Sequence, residues 1–178
     1  MSHVMVDIES LGTLPGSVVL SIGAVSFDDH GNKEEFYRAI NVFDSLLHGL
    51  TINADTVAWW QKQTREAKAA IMARDAQRGL VGALGEFEAW LHQEEATDIW
   101  AHPPEFDLVL LEAAYRAAKL ERPWNFRHAR HLGTLLELAG DVEILLPDGF
   151  IEHHALHDAR EQADKVRAAY RKLGKSLQ

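Results

Sequence analysis

Two carboxylates, Asp7 and Glu9, stand two residues apart in the first apolar run of the chain. On a β-strand, residues at this spacing leave the same face, about 6 to 7 Å apart along the strand. Strand interiors disfavour Asp, and two such carboxylates repel each other, so a divalent cation between them would make the pair tolerable. The alternative is that the strand ends at Val6 and that both acids are solvated. Short D-x-E strings are common by chance, so the spacing alone leaves both interpretations open.

Two more acids stand near the starts of predicted helices. Asp107 opens the helix after the short run DIWA, where the helix dipole alone can stabilise a carboxylate. Asp158 lies in the first turns of the C-terminal helix, within the string EHHALHDAREQAD, and three histidines surround it. One sheet edge could bring all four acids together, and four such acids without a metal would be hard to justify energetically.

The elements that must position these acids follow from apolar periodicity. Strands are predicted over residues 3–8 and 17–27, the second one bent or bulged near Gly23, and residues 34–41 follow the turn DDHGN as a hairpin partner. Helical spacing begins at Asp55 and continues through Leu91. Residues 98–101 form a brief strand, residues 106–119 and 134–139 form helices, residues 140–152 form a loop, and an amphipathic helix follows from Ala155. We therefore expect one α/β domain over residues 1–178.

Composition narrows the class of protein. The 178 residues include 18 Lys plus Arg and 27 Asp plus Glu, a formal charge of −9, which excludes nucleic-acid binding by bulk positive charge. The absence of Cys excludes a disulfide framework, a thiolate zinc site and a Cys nucleophile. The start MSHVMVDIES has no basic signal region, and no apolar run approaches the roughly 18 residues of a membrane helix. We expect a cytoplasmic protein without a membrane partner.

Three short strings together resemble a known family. D-I-E at 7–9, F-D at 106–107 and H-H-A-L-H-D at 153–158 look like the three exonuclease motifs of the DEDDh family, the RNase H-like 3′-to-5′ exonucleases. The last string is the most specific, because His153 precedes Asp158 by five positions, as in the family's H-x-A-L-x-D. VMVDIESLGTLPGSVVLSIGAVSFD and TVAWWQKQTREA most resemble the phage and prophage exonuclease VIII-like branch and its bacterial exoribonuclease relatives. The resemblance spans residues 4–169.

The resemblance implies a fold and an activity. The fold would be RNase H-like, a mixed sheet of about five strands, antiparallel at first and then parallel, flanked by helices. The activity would be hydrolysis of phosphodiester bonds at single-stranded 3′ ends, with release of nucleoside 5′-monophosphates. RNA and DNA both stay open as substrates, since contacts to the 2′-hydroxyl are often made by backbone groups. Relatives of this kind are often homodimers.

The resemblance also implies a role for each motif residue. Asp7, Glu9 and Asp158 would hold one Mg²⁺ or Mn²⁺, Asp7 would bridge to a second ion, and Asp107 would complete the site through water. Hard oxygen ligands suit these two metals better than Zn²⁺, and two such ions supply an activated water and a stabilised leaving 3′-oxygen. His153 would be the general base, a task for which an imidazole titrating near neutrality is suited.

Helical spacing does not by itself select His153. His154 and Asp158 are four apart and would share a helix face, whereas His153 and Asp158 diverge by about 140° on a continuous helix. The two arguments agree if the helix begins near Ala155, because His153 then lies on the incoming loop and is free to point at the metals.

Substrate contacts are predicted at two places. Ser10 and Leu11 follow the acid pair, where family members position the backbone and a residue that wedges against the terminal base, which makes Leu11 the wedge candidate. Trp59 and Trp60 are adjacent on a helix and point about 100° apart, so one can be core while the other stacks on a base. Packing of both in the core is the competing interpretation.

The sequence departs from the relatives at one place. Exonuclease VIII-like proteins tend to carry an R-D-x-R-T string after the second aspartate, and here the string is R-H-L-G-T at 130–134. The acid and the second arginine are missing, which puts in doubt any substrate contact or ion pair built on them.

Two other functions compete with the exonuclease. His157 and Asp158 could be the HD pair of an all-helical HD-domain phosphohydrolase, with His128 or His131 as the upstream ligand, although the β-rich first forty residues argue against that fold. The third possibility is an RNase H-like domain that binds nucleic acid without catalysis.

Overall fold

A six-stranded mixed sheet forms the centre of the protein. The computed structural model describes residues 2–72 and 77–177. The strands are β1 (Ser2–Ser10), β2 (Val19–Asp28), β3 (Gly31–Ile40), β4 (Gln77–Arg78), β5 (Ala96–Ala101) and β6 (Ala129–His131), in the spatial order β4-β3-β2-β1-β5-β6. β1, β2 and β3 pair antiparallel, whereas β5 lies parallel to β1, β6 parallel to β5 and β4 parallel to β3. The predicted mixed sheet of about five strands is confirmed, and the two-residue β4 adds a sixth.

Seven helices of the described residues flank this sheet. They are α1 (Val42–Leu47), α2 (Ala54–Gln61), α3 (Arg65–Met72), α4 (Leu80–Gln93), α5 (Pro104–Ala117), α6 (Leu132–Ala139) and α7 (Ala155–Lys172). The helices predicted from apolar spacing are present, but within the predicted helical stretch residues 73–76 lie outside the described residues and the strand β4 follows them. α1 was not predicted; its first turn is capped by Asn41, whose side chain accepts a hydrogen bond from the N–H of Asp44 at 3.0 Å.

The two faces of the sheet pack against different helices. On β1 the even positions Val4, Val6 and Ile8 join the larger core cluster, which includes residues of α4 and α5. The odd position Met5 joins a smaller cluster with apolar residues of α7. Because strand residues alternate between faces, Asp7 and Glu9 also lie on the α7 side.

The strand β1 runs past both acids. It ends at Ser10, and its register with β2 is regular from His3 to Glu9 and shifts between Glu9 and Ser10. The alternative in which the strand ends at Val6 is therefore wrong, and the register shift comes immediately after the second acid.

The predicted bend near Gly23 is wrong. Gly23 pairs in regular register with Asp7 on one side and Tyr37 on the other. The register shifts of β2 lie elsewhere, between Val19 and Ser21 against β1 and between Val25 and Phe27 against β3. A Cβ at Gly23 would lie 2.1 Å from the backbone carbonyl carbon of Ala155. The glycine is required because the start of α7 approaches the sheet too closely for any side chain.

No helix of the described residues is both long enough and apolar enough to cross a membrane.

Candidate active site

β1 and α5 bring three of the four predicted acids together. Glu9 is 7% exposed and Asp107 is 2% exposed. Asp107 lies in the first turn of α5, a helix that begins with Pro104, whose missing N–H needs no partner at that position. The backbone N–H of Ile8, between the two acids of β1, donates to Oδ1 of Asp107 at 3.3 Å. No group of the described residues forms a hydrogen bond to the buried Oδ2 of Asp107.

The fourth acid and the catalytic histidine candidate come from the start of α7. The helix begins at Ala155, as the helical spacing required, so His153 lies on the incoming loop with a φ of 61°. Three potential ligand atoms, one each from Glu9, His153 and Asp158, lie within 4.8 Å of one another. This is a spacing at which a single ion could contact all three residues. The close approach at Gly23 places this helix start beside Asp7.

Burial raises the pKa of all four carboxyl groups, and repulsion within the cluster raises the pKa values of Asp7 and Glu9 further. The pKa of Asp7 lies well above its ordinary value because of burial, then repulsion from Asp107, Glu9 and Asp158, and a hydrogen bond from Gln162 only partly opposes this. Burial and the same kind of repulsion raise the pKa of Glu9 to about 8. Burial raises the pKa values of Asp107 and Asp158 to about 7, although hydrogen bonds from backbone N–H groups lower them in part. In their ionised forms the four carboxylates would therefore carry more negative charge than the surrounding side chains balance.

The neighbouring histidines face elsewhere. The His154 ring stacks on Tyr37 at 4.6 Å and on His157 at 4.3 Å between ring centroids. Nδ1 of His157 accepts a hydrogen bond from the backbone N–H of Ile151 at 3.0 Å. His157 thus holds the loop in front of α7. The HD-domain alternative is contradicted by the fold, because an all-helical domain has no six-stranded sheet.

The acids and His153 line a cavity of about 660 Å³. Its wall also includes polar residues that the sequence did not single out, among them Thr13, Asn53, Thr56, His102 and Gln162. The spacing that could have revealed Gln162 is its position four residues after Asp158, on the same face of α7. The others come from loops and helix ends, where no local pattern marks them.

The two tryptophans occupy different environments. Trp60 is 5% exposed, and its Nε1 donates to the backbone carbonyl of Ser10 at 2.8 Å, so it supports the chain after the acid pair. Trp59 is 41% exposed and meets the His153 ring edge to face at 4.8 Å. Both residues line the cavity, with Trp59 offering the accessible ring.

The two residues after the acid pair, Ser10 and Leu11, also lie in different environments. Ser10 lines the cavity, and its hydroxyl donates to the carbonyl of Gly12 at 2.7 Å. Leu11 is half-buried against the larger core cluster and is absent from the cavity wall, where Thr13 stands. The side chain of the predicted wedge residue thus lies outside the cavity.

The R-H-L-G-T string has a structural explanation. Arg130 binds Asp98 at 2.7 Å. His131 takes the N-cap position of α6, where its Nδ1 accepts a hydrogen bond from the N–H of Thr134 at 3.1 Å, the task that an aspartate commonly performs. A Cβ at position 133 would lie 2.6 Å from Cε1 of His131, so the glycine at 133 accommodates the histidine cap.

Comparisons with known proteins match the chain to exonucleases. The family model described as the 3′-5′ exoribonuclease Rv2179c-like domain matches residues 2–170. An exodeoxyribonuclease of Enterobacteria phage T4 is 23% identical over 210 aligned residues, which cover 96% of this chain and 90% of that protein.

A solved structure of exonuclease X in complex with 5′ overhanging duplex DNA has the same fold. It superimposes with a TM-score of 0.54 at 14% identity and covers 97% of this chain and 93% of its own. This similarity confirms the RNase H-like arrangement of sheet and helices.

Proposed function

The chain belongs to the Rv2179c-like 3′-5′ exoribonuclease domain family, and from this membership we propose how its cavity works. The protein is a 3′-to-5′ exonuclease rather than a nucleic-acid-binding module without catalysis. We propose that it removes nucleoside 5′-monophosphates from single-stranded 3′ ends. The observation that carries the proposal is the convergence of four carboxylates and His153 on one cavity.

The donor set fits two divalent cations. Four carboxylates supply hard oxygen ligands, and Oδ2 of Asp107 is buried without a hydrogen-bond partner among the described residues. We propose that Asp7, Glu9 and Asp158 hold one Mg²⁺ or Mn²⁺, that Asp7 is shared with a second ion, and that Asp107 completes the site. Bound there, the two ions would supply an activated water and stabilise the leaving 3′-oxygen.

His153 is the group best suited to accept the proton of the attacking water. Its imidazole lies at the cavity wall, beside Glu9 and Asp158, where a ring nitrogen can accept a proton from a water at the metal site. Trp59 and Trp60 contact the ring at centroid distances of 4.8 Å and 6.3 Å and restrict its orientation. A general base held this way needs no large rearrangement before the reaction.

A strand end, rather than a duplex, suits this cavity. The exposed face of Trp59 can stack on a base near the 3′ end, because aromatic stacking tolerates any base. Ser10 lies where the terminal nucleotide would meet the wall. The net charge of −9 gives no bulk attraction for a polyanion, so binding is local and depends on the metal. The DNA bound in the exonuclease X structure supports a nucleic-acid substrate.

A side-by-side degradation assay tests the proposal. Matched 5′-labelled single-stranded RNA and DNA oligomers are incubated with the protein and Mn²⁺, and the products are resolved by length. We expect progressive shortening from the 3′ end and release of nucleoside 5′-monophosphates on at least one of the two substrates. Internal cleavage, or equal shortening by an Asp7→Ala variant, would contradict the proposal.

Three expectations from the sequence stay proposals. We propose that residues 1–178 form one exonuclease domain, because the family model matches residues 2–170. A homodimer and a cytoplasmic location are also retained as predictions. Sedimentation velocity of the purified chain tests the dimer.

A further inference from the structure

Gln162 is the one polar residue among the six buried residues of α7. The other five are Ala155, Ala159, Ala163, Val166 and Ala169, and they pack α7 against the sheet. Gln162 is 7% exposed and lies one turn beyond Asp158. An apolar side chain of similar length would be the ordinary choice on this face.

The amide of Gln162 makes one directed contact. Its Nε2 donates to Oδ1 of Asp7 at 2.8 Å. Its Oε1 is buried, and no group of the described residues donates to it. Leaving a buried acceptor without a partner costs about 1–3 kcal/mol, so the amide is a poor choice for stability alone. What this side chain offers is the donor that reaches Asp7.

A neutral donor has a particular advantage at this position. A lysine or arginine at the same place would also hold the carboxylate. Its positive charge, however, would neutralise the negative charge of Asp7 and repel a divalent cation. An amide N–H fixes the orientation of the carboxylate and leaves its negative charge available. One helix thus supplies both a ligand candidate, Asp158, and the group that orients a ligand on the neighbouring strand.

We propose that Gln162 is a positioning residue that orients the Asp7 carboxylate for the divalent cations. The inference rests on the proposed function, because it presumes that Asp7 is a metal ligand. Groups that hydrogen-bond to metal ligands typically contribute 10- to 100-fold to metal affinity or activity. Gln162 is expected to act in this range through the 2.8 Å contact to Asp7.

The test measures metal binding directly. Mn²⁺ is titrated by calorimetry into the wild-type chain, into Gln162→Met and into Gln93→Met, which makes the same substitution at an exposed residue of α4. We expect Gln162→Met to weaken Mn²⁺ binding roughly 10- to 100-fold, with Gln93→Met unchanged. A high Mn²⁺ concentration should restore trimming by Gln162→Met, because the residue does not touch the reacting atoms.

Unfolding is controlled separately. Melting temperatures in EDTA show whether each variant is folded, and Gln162→Asn provides a second test because it keeps the amide but is one methylene too short to reach Asp7. The same loss of Mn²⁺ affinity is expected for Gln162→Asn. A folded Gln162 variant that binds Mn²⁺ within twofold of the wild type overturns this inference alone. A wild-type chain that binds no Mn²⁺ overturns the proposed function as well.

Discussion

The two ends of the parallel strand pair β1 and β5 hold carboxylates in opposite electrostatic surroundings. At the amino-terminal end Asp98 lies 2.7 Å from the Arg130 guanidinium, and the imidazoles of His3 and His128 lie 3.6 Å and 3.7 Å from its oxygens. At the carboxyl end, four carboxylates meet without a cationic side chain bonded to any of them among the described residues.

This contrast distinguishes Asp98, whose charge has a structural role, from the four carboxylates with a proposed functional role. Asp98, whose side chain is 14% exposed, is neutralised by the Arg130 guanidinium, which is the usual condition of a largely buried carboxylate. The four acids at the other end lack such partners, and their ionised forms become stable only when a cation binds between them. Ligands of open α/β sheets bind at the carboxyl ends of parallel strands, and the unbalanced cluster lies at that end.

The largest expected effect comes from removing one charge of the unbalanced cluster. Asp7→Asn keeps the shape and the acceptor for Gln162 but removes a metal ligand. Since the metal contribution to the barrier is several kcal/mol, we expect the trimming rate to fall at least about 10³-fold. The melting temperature in EDTA should stay equal or rise, because one repelling charge is gone. A trimming rate within tenfold of the wild type would refute the role of Asp7.

The adjacent histidines give the next contrast. His153→Ala removes the proposed general base, and we expect the rate at saturating Mn²⁺ to fall about 10²- to 10⁴-fold. His154→Ala is the matched control, because His154 stacks on Tyr37 and His157 and caps α7 only through its backbone. We expect less than about a tenfold effect for the control. Equal losses in the two variants would count against His153 as the base.

The pH dependence of stability distinguishes the two ends further. Folding raises the pKa of Glu9 to about 8 and those of Asp107 and Asp158 to about 7, above the value near 4 of unfolded carboxyls, so the folded chain binds more protons. Their contribution to stability is present in full below about pH 4 and is lost as pH rises through 7 to 8.

Melting curves measure this effect. In EDTA we expect a lower melting temperature at pH 8.5 than at pH 6, and Mn²⁺ should raise it more at pH 8.5 because more of the carboxylates are then ionised. Asp7→Asn should flatten the pH dependence. A melting temperature in EDTA that rises from pH 6 to pH 8.5 would show that the cluster is not the dominant titrating group.

The smallest expected effect is at the balanced end. Asp98→Asn leaves Arg130 with a weaker partner, and because Arg130 is half-exposed we expect a loss of about 1–2 kcal/mol in the free energy of unfolding. The trimming rate of the folded variant should stay within about twofold of the wild type. Chemical denaturation and the oligomer assay measure the two quantities. A large loss of activity without a loss of stability would mean that the two ends are coupled.

The sequence revealed those parts of the site that depend on local spacing. Asp7 and Glu9 share a face because strand residues alternate, and the histidine at the start of α7 was assigned from a motif and from the position of the helix start. Those inferences require only the period of one element and the place where it begins.

Other parts depend on contacts between distant segments. Gly23 was expected to mark a bend, whereas the start of α7, more than 130 residues later in the chain, requires it. The 2.8 Å contact between Gln162 and Asp7 likewise joins residues that only the packing of α7 brings together. α1, β4 and β6 are too short for periodicity to reveal them.

One experiment tests the central claim directly: stripping the protein with EDTA and then adding Mn²⁺ back, with a 5′-labelled single-stranded oligomer as substrate. The account predicts no degradation in EDTA and, after Mn²⁺ is added, a ladder of products that shortens one nucleotide at a time from the 3′ end. Undiminished degradation in EDTA, or immediate release of the 5′ label as a mononucleotide, would contradict it.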